Sequence, residues 1–266
     1  MRFYLGTHRD NWLADERFAD VPLFVSHRRL KGRKKLPVAV TDWALDSGGF
    51  SELSLYDEWR TTPSEYIAAV RRYADGIGRL QWAAPQDWMC EPHMLAKTGK
   101  TVEEHQRLTV ENLLDLRHTA PDLPFVPVLQ GWTLDDYLRH ADAYTAAGID
   151  LATEPVVGLG SVCRRQHTEV VEELLYRLAE RDITAVHGFG FKAKGLERAG
   201  HMLGTADSMA WSYAARRRLP LPGCSGHINC ANCASYALAW RERLLTNLPT
   251  WHQPTWQPSL FDLEPA

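Results

Sequence analysis

Trp43-Ala44-Leu45-Asp46-Ser47-Gly48-Gly49-Phe50 is an apolar run that stops on a carboxylate and turns on two glycines. A short apolar run bounded by such a turn reads as a buried strand with a polar group at its tip. The pattern recurs along the chain. Trp82-Ala83-Ala84 leads to Gln86-Asp87, Val126-Pro127-Val128-Leu129 to Gln130-Gly131, and residues 154–157 to Gly158-Leu159-Gly160-Ser161. His187-Gly188-Phe189-Gly190 ends another run, and Asp207 begins the last.

Working outward from these tips, strands are expected at 3–6, 23–26, 43–46, 80–84, 125–130, 151–157, 185–189 and 207–211. Helical patterns fall at 63–75, 102–118, 134–147, 168–181 and 196–203. Thr62-Pro63-Ser64-Glu65 has the cap residue and first-turn proline of a helix start. Thr133-Leu134-Asp135-Asp136 puts acid where the helix dipole favours it. The segment between the first two strands carries no clear helix. Strands alternating with helices imply a parallel α/β fold, and eight of them fit a TIM-like (β/α)8 barrel. A doubly wound sheet is the rival, but the first turn lacks the dinucleotide glycine fingerprint.

In such a barrel the C-terminal strand tips converge on one mouth, where the active site sits. Any one aspartate could merely cap the next helix. Three at strand tips, with a glutamine, point instead to a shared polar pocket. Trp88, Trp132 and Phe50 are aromatic candidates for its wall, with ordinary core packing as the alternative for each.

The 266 residues are 45% hydrophobic and 24% charged, an ordinary soluble composition. A net charge of −3 gives no global attraction to nucleic acid, so phosphate contacts would need local clusters. Candidates are the run from His27-Arg28-Arg29 to Arg33-Lys34-Lys35, then Arg164 and Arg165, Lys192 and Lys194, and Arg216-Arg217-Arg218. Each could equally be a solvated face. No apolar run is long enough to span a bilayer, and the N-terminus lacks a secretory layout. Five cysteines, three of them between 224 and 233, suggest reduced thiols and metal, hence a cytoplasmic location.

Cys224, His227, Cys230 and Cys233 stand at three-residue intervals, so one short loop can wrap a tetrahedral ion. Structural Zn2+ is the expectation, with an iron–sulfur cluster or a bare loop as alternatives. Four protein ligands leave no open position, which makes the role bracing rather than hydrolysis. Cys90 and Cys163 are expected to be buried or site-lining. After Trp240 the chain turns Pro- and Trp-rich and is expected to leave the packed body. The domain reading is a barrel over 1–245, including the metal clip at 224–233, and a tail over 246–266.

Asp46-Ser47-Gly48-Gly49-Phe50, Asp87 with Cys90, Val128-Leu129-Gln130-Gly131, Val157-Gly158-Leu159-Gly160 and Ala206-Asp207-Ser208 resemble the ordered site motifs of the tRNA-guanine transglycosylases. More narrowly, the chain is similar to their DNA-directed branch, the 7-deazaguanine DNA transglycosylases of DpdA type. The resemblance implies that Asp207 is the nucleophile at the sugar C1′ and that Asp46 is a second catalytic aspartate handling a proton of the base. It implies base recognition by Asp87 and Gln130, a backbone cradle at Gly158, Leu159 and Gly160, and flanking contacts from Ser47, Gly48 and Phe50. Around Asp207, only the aspartate and its strand context match. The family also carries a structural zinc, with a different ligand layout.

Two features favour DNA over tRNA. The chain is expected to end soon after the barrel and clip, with no room for the further RNA-binding domain that tRNA-directed relatives often carry. Gln257-Pro258-Ser259-Leu260-Phe261 resembles the short peptide by which bacterial DNA enzymes dock on the replication sliding clamp. The expectation is therefore exchange of guanine in DNA for a 7-deazaguanine such as preQ0, with no nucleotide cofactor. Exchange on tRNA, a non-catalytic nucleic-acid-binding barrel and a hydrolytic glycosidase are the alternatives.

Overall fold

The computed structural model describes residues 1–165 and 168–249. The 257–261 peptide, and with it the expected clamp contact, lies outside the described residues. Eight parallel strands form one sheet: β1 (Arg2–Thr7), β2 (Leu23–Ser26), β3 (Trp43–Asp46), β4 (Leu80–Ala83), β5 (Val128–Leu129), β6 (Val157–Leu159), β7 (Val186–Gly188) and β8 (Thr205–Ser208). Their spatial order is β4-β3-β2-β1-β8-β7-β6-β5. The two ends of that order meet at a parallel bridge between Ala83 and Phe125. There the Ala83 amide donates to the Pro124 carbonyl (2.9 Å) and the Val126 amide to the Ala83 carbonyl (3.1 Å). The ladder thus closes on itself with strands in chain order, which is the TIM-like (β/α)8 arrangement.

The helices are α1 (His27–Leu30), α2 (Gly49–Tyr56), α3 (Pro63–Ile77), α4 (Pro92–Thr98), α5 (Val102–Thr119), α6 (Leu134–Ala146), α7 (Glu169–Ala179), α8 (Ala193–Ala199), α9 (Ala210–Ala215) and α10 (Ala234–Thr246). Reciprocal capping boxes start three of them: Thr62 with Glu65 on α3, Thr101 with Glu104 on α5, and Thr133 with Asp136 on α6. Each cap satisfies amides that would otherwise lack partners, worth about 1 kcal/mol. The α3 face that meets the barrel is Tyr66, Ile67, Val70, Tyr73 and Ile77, the spacing of one helical stripe. None of the helices among the described residues is long and apolar enough to cross a membrane.

Several boundaries differ from the sequence reading. The sixth strand begins at Val157, where the sequence suggested that a strand ended; residues 151–152 form a turn instead. The eighth starts at Thr205, so Asp207 is its third residue, and Trp211 belongs to α9. Between β1 and β2 two 3-10 turns, Asp10–Ala14 and Glu16–Phe18, take the place of a helix. Their Trp12 stacks on Phe18 (4.6 Å between centroids) and on Trp211 (5.4 Å). The chain also stays in the body past Trp240. The α10 helix continues to Thr246, with Trp240 6.2 Å from Phe3 and Leu244 buried.

Alternation along the strands explains which groups reach the barrel axis. Trp43 and Leu45 face the helices, whereas Ala44 belongs to the interior cluster with Tyr4, Phe24, Trp82 and Val126. Asp46 is two residues beyond Ala44, so it shares that inward side at the strand tip. Asp207 pairs in register with Tyr4 and is likewise inward. Below these carboxylates the axis is filled by rings, including Trp82 against His187 at 4.6 Å. The barrel centre is therefore solid beneath a hollow C-terminal mouth.

Candidate active site at the barrel mouth

The hollow is a cavity of about 230 Å3. Asp46 from β3, Asp207 from β8, and Asp87 and Gln130 from the loops after β4 and β5 line it. Its volume is below the range of about 300–1,000 Å3 typical of drug-sized ligands, which suits one flat heterocycle. Phe24, Phe50 and Phe189 supply apolar wall, and Phe50 is 52% exposed at the entrance.

Asp87 is fixed from two sides. Gln130 Nε2 donates to its Oδ2 (2.5 Å) and the Ser47 hydroxyl to its Oδ1 (3.2 Å). It is only 9% exposed. Burial pushes its carboxyl up to about 7, and the nearby Asp46 charge adds to this; the Gln130 and Ser47 hydrogen bonds oppose the shift. Asp46 is raised as well, by burial first and then by the Asp207 charge, against opposing contacts from Ser26 and the Gly48 amide. Asp207 is 6% exposed and accepts the Gly190 amide (2.8 Å), with His187 Nε2 at 3.4 Å from the same Oδ1. The other ring nitrogen of His187 is 2.8 Å from Thr205 Oγ1.

Gln130 is the hub of the floor. Its Oε1 accepts from the Ser161 hydroxyl (2.7 Å), and its carbonyl accepts from Gln106 Nε2 (2.7 Å). Ser161 receives the Cys90 amide (2.8 Å) and lies 2.8 Å from Glu91 Oε2. With one proton to give, the hydroxyl must choose between Gln130 and Glu91. Ser161 holds φ of +55°, a strained setting for a residue with a side chain, and such outliers gather at functional sites. Gly160 lies directly over Gln130: a Cβ there would stand 2.6 Å from the Gln130 Cδ, so glycine is required.

Of the residues singled out in the sequence, Asp46, Asp87, Gln130, Gly160, Phe50 and Asp207 come together at the cavity. Ser47 touches it through Asp87. Gly48 sits behind Asp46 with φ of +85°, and a Cβ there would meet the Arg28 stem at 2.9 Å. Gly158 and Leu159 are not brought to the wall. Gly158 is a layer deeper in β6, and the Leu159 side chain is buried in the outer core. Trp88 packs with Leu53, Met89 and Met94 in a separate core cluster. Trp132 carries the Arg165 guanidinium 4.1 Å above its ring. Arg164, Lys192, Lys194 and Arg216 are exposed and follow β6, β7 and β8, on the mouth side.

Sequence reasoning missed Glu91, His187 and Gly190 as site groups and quoted Ser161 without a role. Glu91 and Ser161 sit in loops whose partners are about seventy positions away (|i−j| = 70), so spacing carried no signal. Cys163 lines the cavity, and Cys90 is buried beneath it.

A second centre lies beyond β8. Ligand atoms of Cys224, His227, Cys230 and Cys233 all fall within 4.8 Å of one another, and the four could hold a metal ion. Cys224 and Cys233 sulfurs are 3.9 Å apart, and His227 Nε2 is 3.2 Å from Cys230 Sγ. Two thiolates on one tetrahedral zinc stand about 3.8 Å apart, from Zn–S bonds of about 2.3 Å, so the donor set fits. The clip is tied to the barrel where Ser212 of α9 donates to the Ala231 carbonyl (2.8 Å).

Comparison with known proteins adds a family. The model of DpdA, "DeoxyPurine in DNA protein A", matches residues 1–263. Among curated proteins, dihydroorotate dehydrogenase A (fumarate) of Lactobacillus helveticus is 33% identical over 99 residues. That overlap covers 35% of this chain and 32% of the enzyme, so the chain spans about a third of that relative's length. Among solved structures, the HMG-CoA lyase of Bacillus subtilis aligns over 93% of this chain and 95% of its own, at 13% identity and a TM-score of 0.49. The carboxyl transferase domain of Rhizobium etli pyruvate carboxylase aligns over 93% and 48%, at 12% identity and a TM-score of 0.46.

Proposed function

Since the chain belongs to the DpdA family, TGT-like proteins implicated in 7-deazaguanine modification of DNA, we propose that it exchanges a guanine of DNA for a 7-deazaguanine base through a covalent aspartyl intermediate. The observation that carries this reading is the convergence of Asp46, Asp87 and Asp207 on one cavity sized for a single heterocycle.

Asp207 takes the nucleophile's part. An oxygen of its carboxylate forms a bond to C1′ while the C1′–N9 bond breaks, and the electron pair leaves with guanine. The Gly190 amide on Oδ1 fixes the direction of attack. Asp46 gives its proton to the departing base. Burial, which raises its pKa, favours the protonated form that a general acid needs. The incoming base returns a proton to Asp46, attacks C1′ and releases the Asp207 carboxylate. Bonds and protons balance over the two halves, and no redox or nucleotide cofactor is consumed. Asp87 and Gln130 read the polar edge of the base, with Gly160 backbone close to the ring.

The site is at the bottom of a mouth, so a paired guanine would have to leave the stack, at a cost of a few kcal/mol. Zinc in the Cys224, His227, Cys230 and Cys233 clip would brace the chain after β8, the strand that bears Asp207. Docking of 257–261 on a sliding clamp would bring the enzyme to newly replicated DNA. Incubating DNA and tRNA separately with labelled guanine or preQ0 tests the proposal. Label is expected in DNA; label confined to tRNA, or free base released without incorporation, refutes it.

A further inference from the structure

Beside the base cavity lies a second one, of about 430 Å3, which shares Phe24, Asp46 and Phe50 with it. Its character is opposite. The base cavity carries the carboxylates Asp46, Asp87, Glu91 and Asp207. The second is lined by His8, Arg28 and Arg29, with the hydroxyl residues Thr7, Ser26 and Ser51. Both arginines are exposed, and among the described residues neither has a carboxylate within ion-pair distance. Arg28 is nonetheless placed, because its aliphatic stem lies against Gly48, two residues from Asp46. His8, just after β1, and Arg28 and Arg29, in α1 just after β2, face this one cavity; burial and then the charges of Arg29 and Arg216 hold the His8 pKa low.

An anion would be repelled from the acid-lined cavity and attracted to this one. Guanidinium groups that are free of acidic partners and flanked by hydroxyls match a phosphate's oxygens. The two cavities share a wall at Asp46, so a nucleotide whose base entered the first would carry its own phosphate toward the second. We propose that Arg28 and Arg29, with His8, form a subsite for a DNA backbone phosphate adjoining the exchanged guanine. This rests on the base-exchange reading for the identity of the first cavity. The subsite would give register to the flipped nucleotide, as phosphate contacts do, without reading its sequence.

The test is DNA binding by fluorescence anisotropy, using a single-stranded oligonucleotide with one guanine, between 50 and 200 mM salt. Wild type is compared with Arg28→Gln/Arg29→Gln and with Arg28→Lys/Arg29→Lys, melting curves serving as the folding control. The glutamine pair is expected to weaken binding roughly tenfold and to lower the log–log salt slope by about 0.7, one single-strand phosphate contact. The lysine pair should keep most of the slope. A neutral methylphosphonate is then placed at each of the two phosphates flanking the guanine. At one of them it should weaken wild type about as much as the glutamine pair did, and leave the glutamine pair unmoved. If both proteins lose equally at both positions, the subsite is refuted, even where wild type exchanges base normally. If wild type binds as expected yet exchanges no base, the function fails and the phosphate site stands. Wild type that binds no DNA overturns both.

Discussion

Replacing Asp87 by asparagine should make the protein more stable at alkaline pH while removing its function. The carboxyl is raised from an ordinary 3.8 to about 7, chiefly by burial. A folded-state pKa above the unfolded one means that folding takes up a proton between those values. The group therefore costs nothing below about pH 4, its cost grows as pH rises to about 7, and it stays constant above. Three units at about 1.4 kcal/mol each put the full cost near 4 kcal/mol. Asparagine removes that charge, yet it offers one acceptor oxygen where Gln130 and Ser47 both donate. One of those hydrogen bonds is lost, and a buried donor left unpaired costs about 1–3 kcal/mol. The net gain at pH 8 is then about 2 kcal/mol, or roughly 4–8 °C in Tm for a chain of this size. At pH 4.5 the charge term has shrunk to about 1 kcal/mol, so the lost hydrogen bond offsets it and the variant should melt at or below wild type. Thermal melts from pH 4.5 to 8.5 give the difference curve directly. A Tm difference that does not change with pH would refute the buried-charge argument. A variant stabilised at pH 8 that also keeps full exchange activity would refute the role of Asp87 in reading the base.

Three further outcomes follow from the geometry. Asp207→Ala should lower exchange on the order of 10^4-fold and abolish any covalent protein–DNA adduct on denaturing gels; an adduct that persists would move the nucleophile elsewhere. Gly160→Ala should cost about 1–3 kcal/mol in denaturant unfolding and also lose base binding, because the new methyl displaces a Gln130 side chain that is fully buried; an unchanged midpoint would mean that the floor can relax. Elemental analysis should find about one zinc per chain, and Cys230→Ser should lose it together with about 5 °C or more of Tm; bound iron would overturn the zinc assignment.

The barrel was legible because parallel strands buried on both sides read as plain apolar runs, and the tips broke that pattern with aspartate, glutamine or glycine. Where those signals were absent, boundaries slipped. The sixth strand contains Gly158, which weakens its strand signature, while the apolar Ile149 and Leu151 upstream are buried in irregular chain and a turn. The α2 helix begins at Gly49, inside the turn that marked the end of β3. At α10, proline and tryptophan downstream obscured a helix that packs on Phe3. The carboxylates were found because a strand tip fixes their direction. Ser161 and Glu91 were not, because a loop's direction is set by tertiary partners such as Cys90 and Gln130. Arg28 and Arg29 read only as part of a charge run; their meaning came from Gly48 and the cavity behind it.

The protonation of Asp87 also makes base binding depend on pH, in a direction the site dictates. A carboxyl near 7 is about half ionised at neutrality. The guanine-type edge carries N1–H and an exocyclic amine, both donors, so it demands the ionised acceptor. Hydrogen bonds to the charged form lower its pKa, and binding must then release a proton from the fraction still protonated. Affinity for a 7-deazaguanine base should accordingly rise with pH up to about 7, approaching tenfold per unit well below that value, and level off above. Asp46 pulls the other way on rate, because the departing base needs its proton and that proton is lost as pH climbs through its raised pKa. Base affinity should therefore rise with pH while turnover falls, the two limbs belonging to different carboxyls. Calorimetry in two buffers of different ionisation heat, below pH 7, would report the proton released on binding. If no proton is released and affinity is flat from pH 5 to 8, Asp87 does not meet the donor edge of the base, and the assignment of reading to this carboxylate falls even if the exchange chemistry is correct.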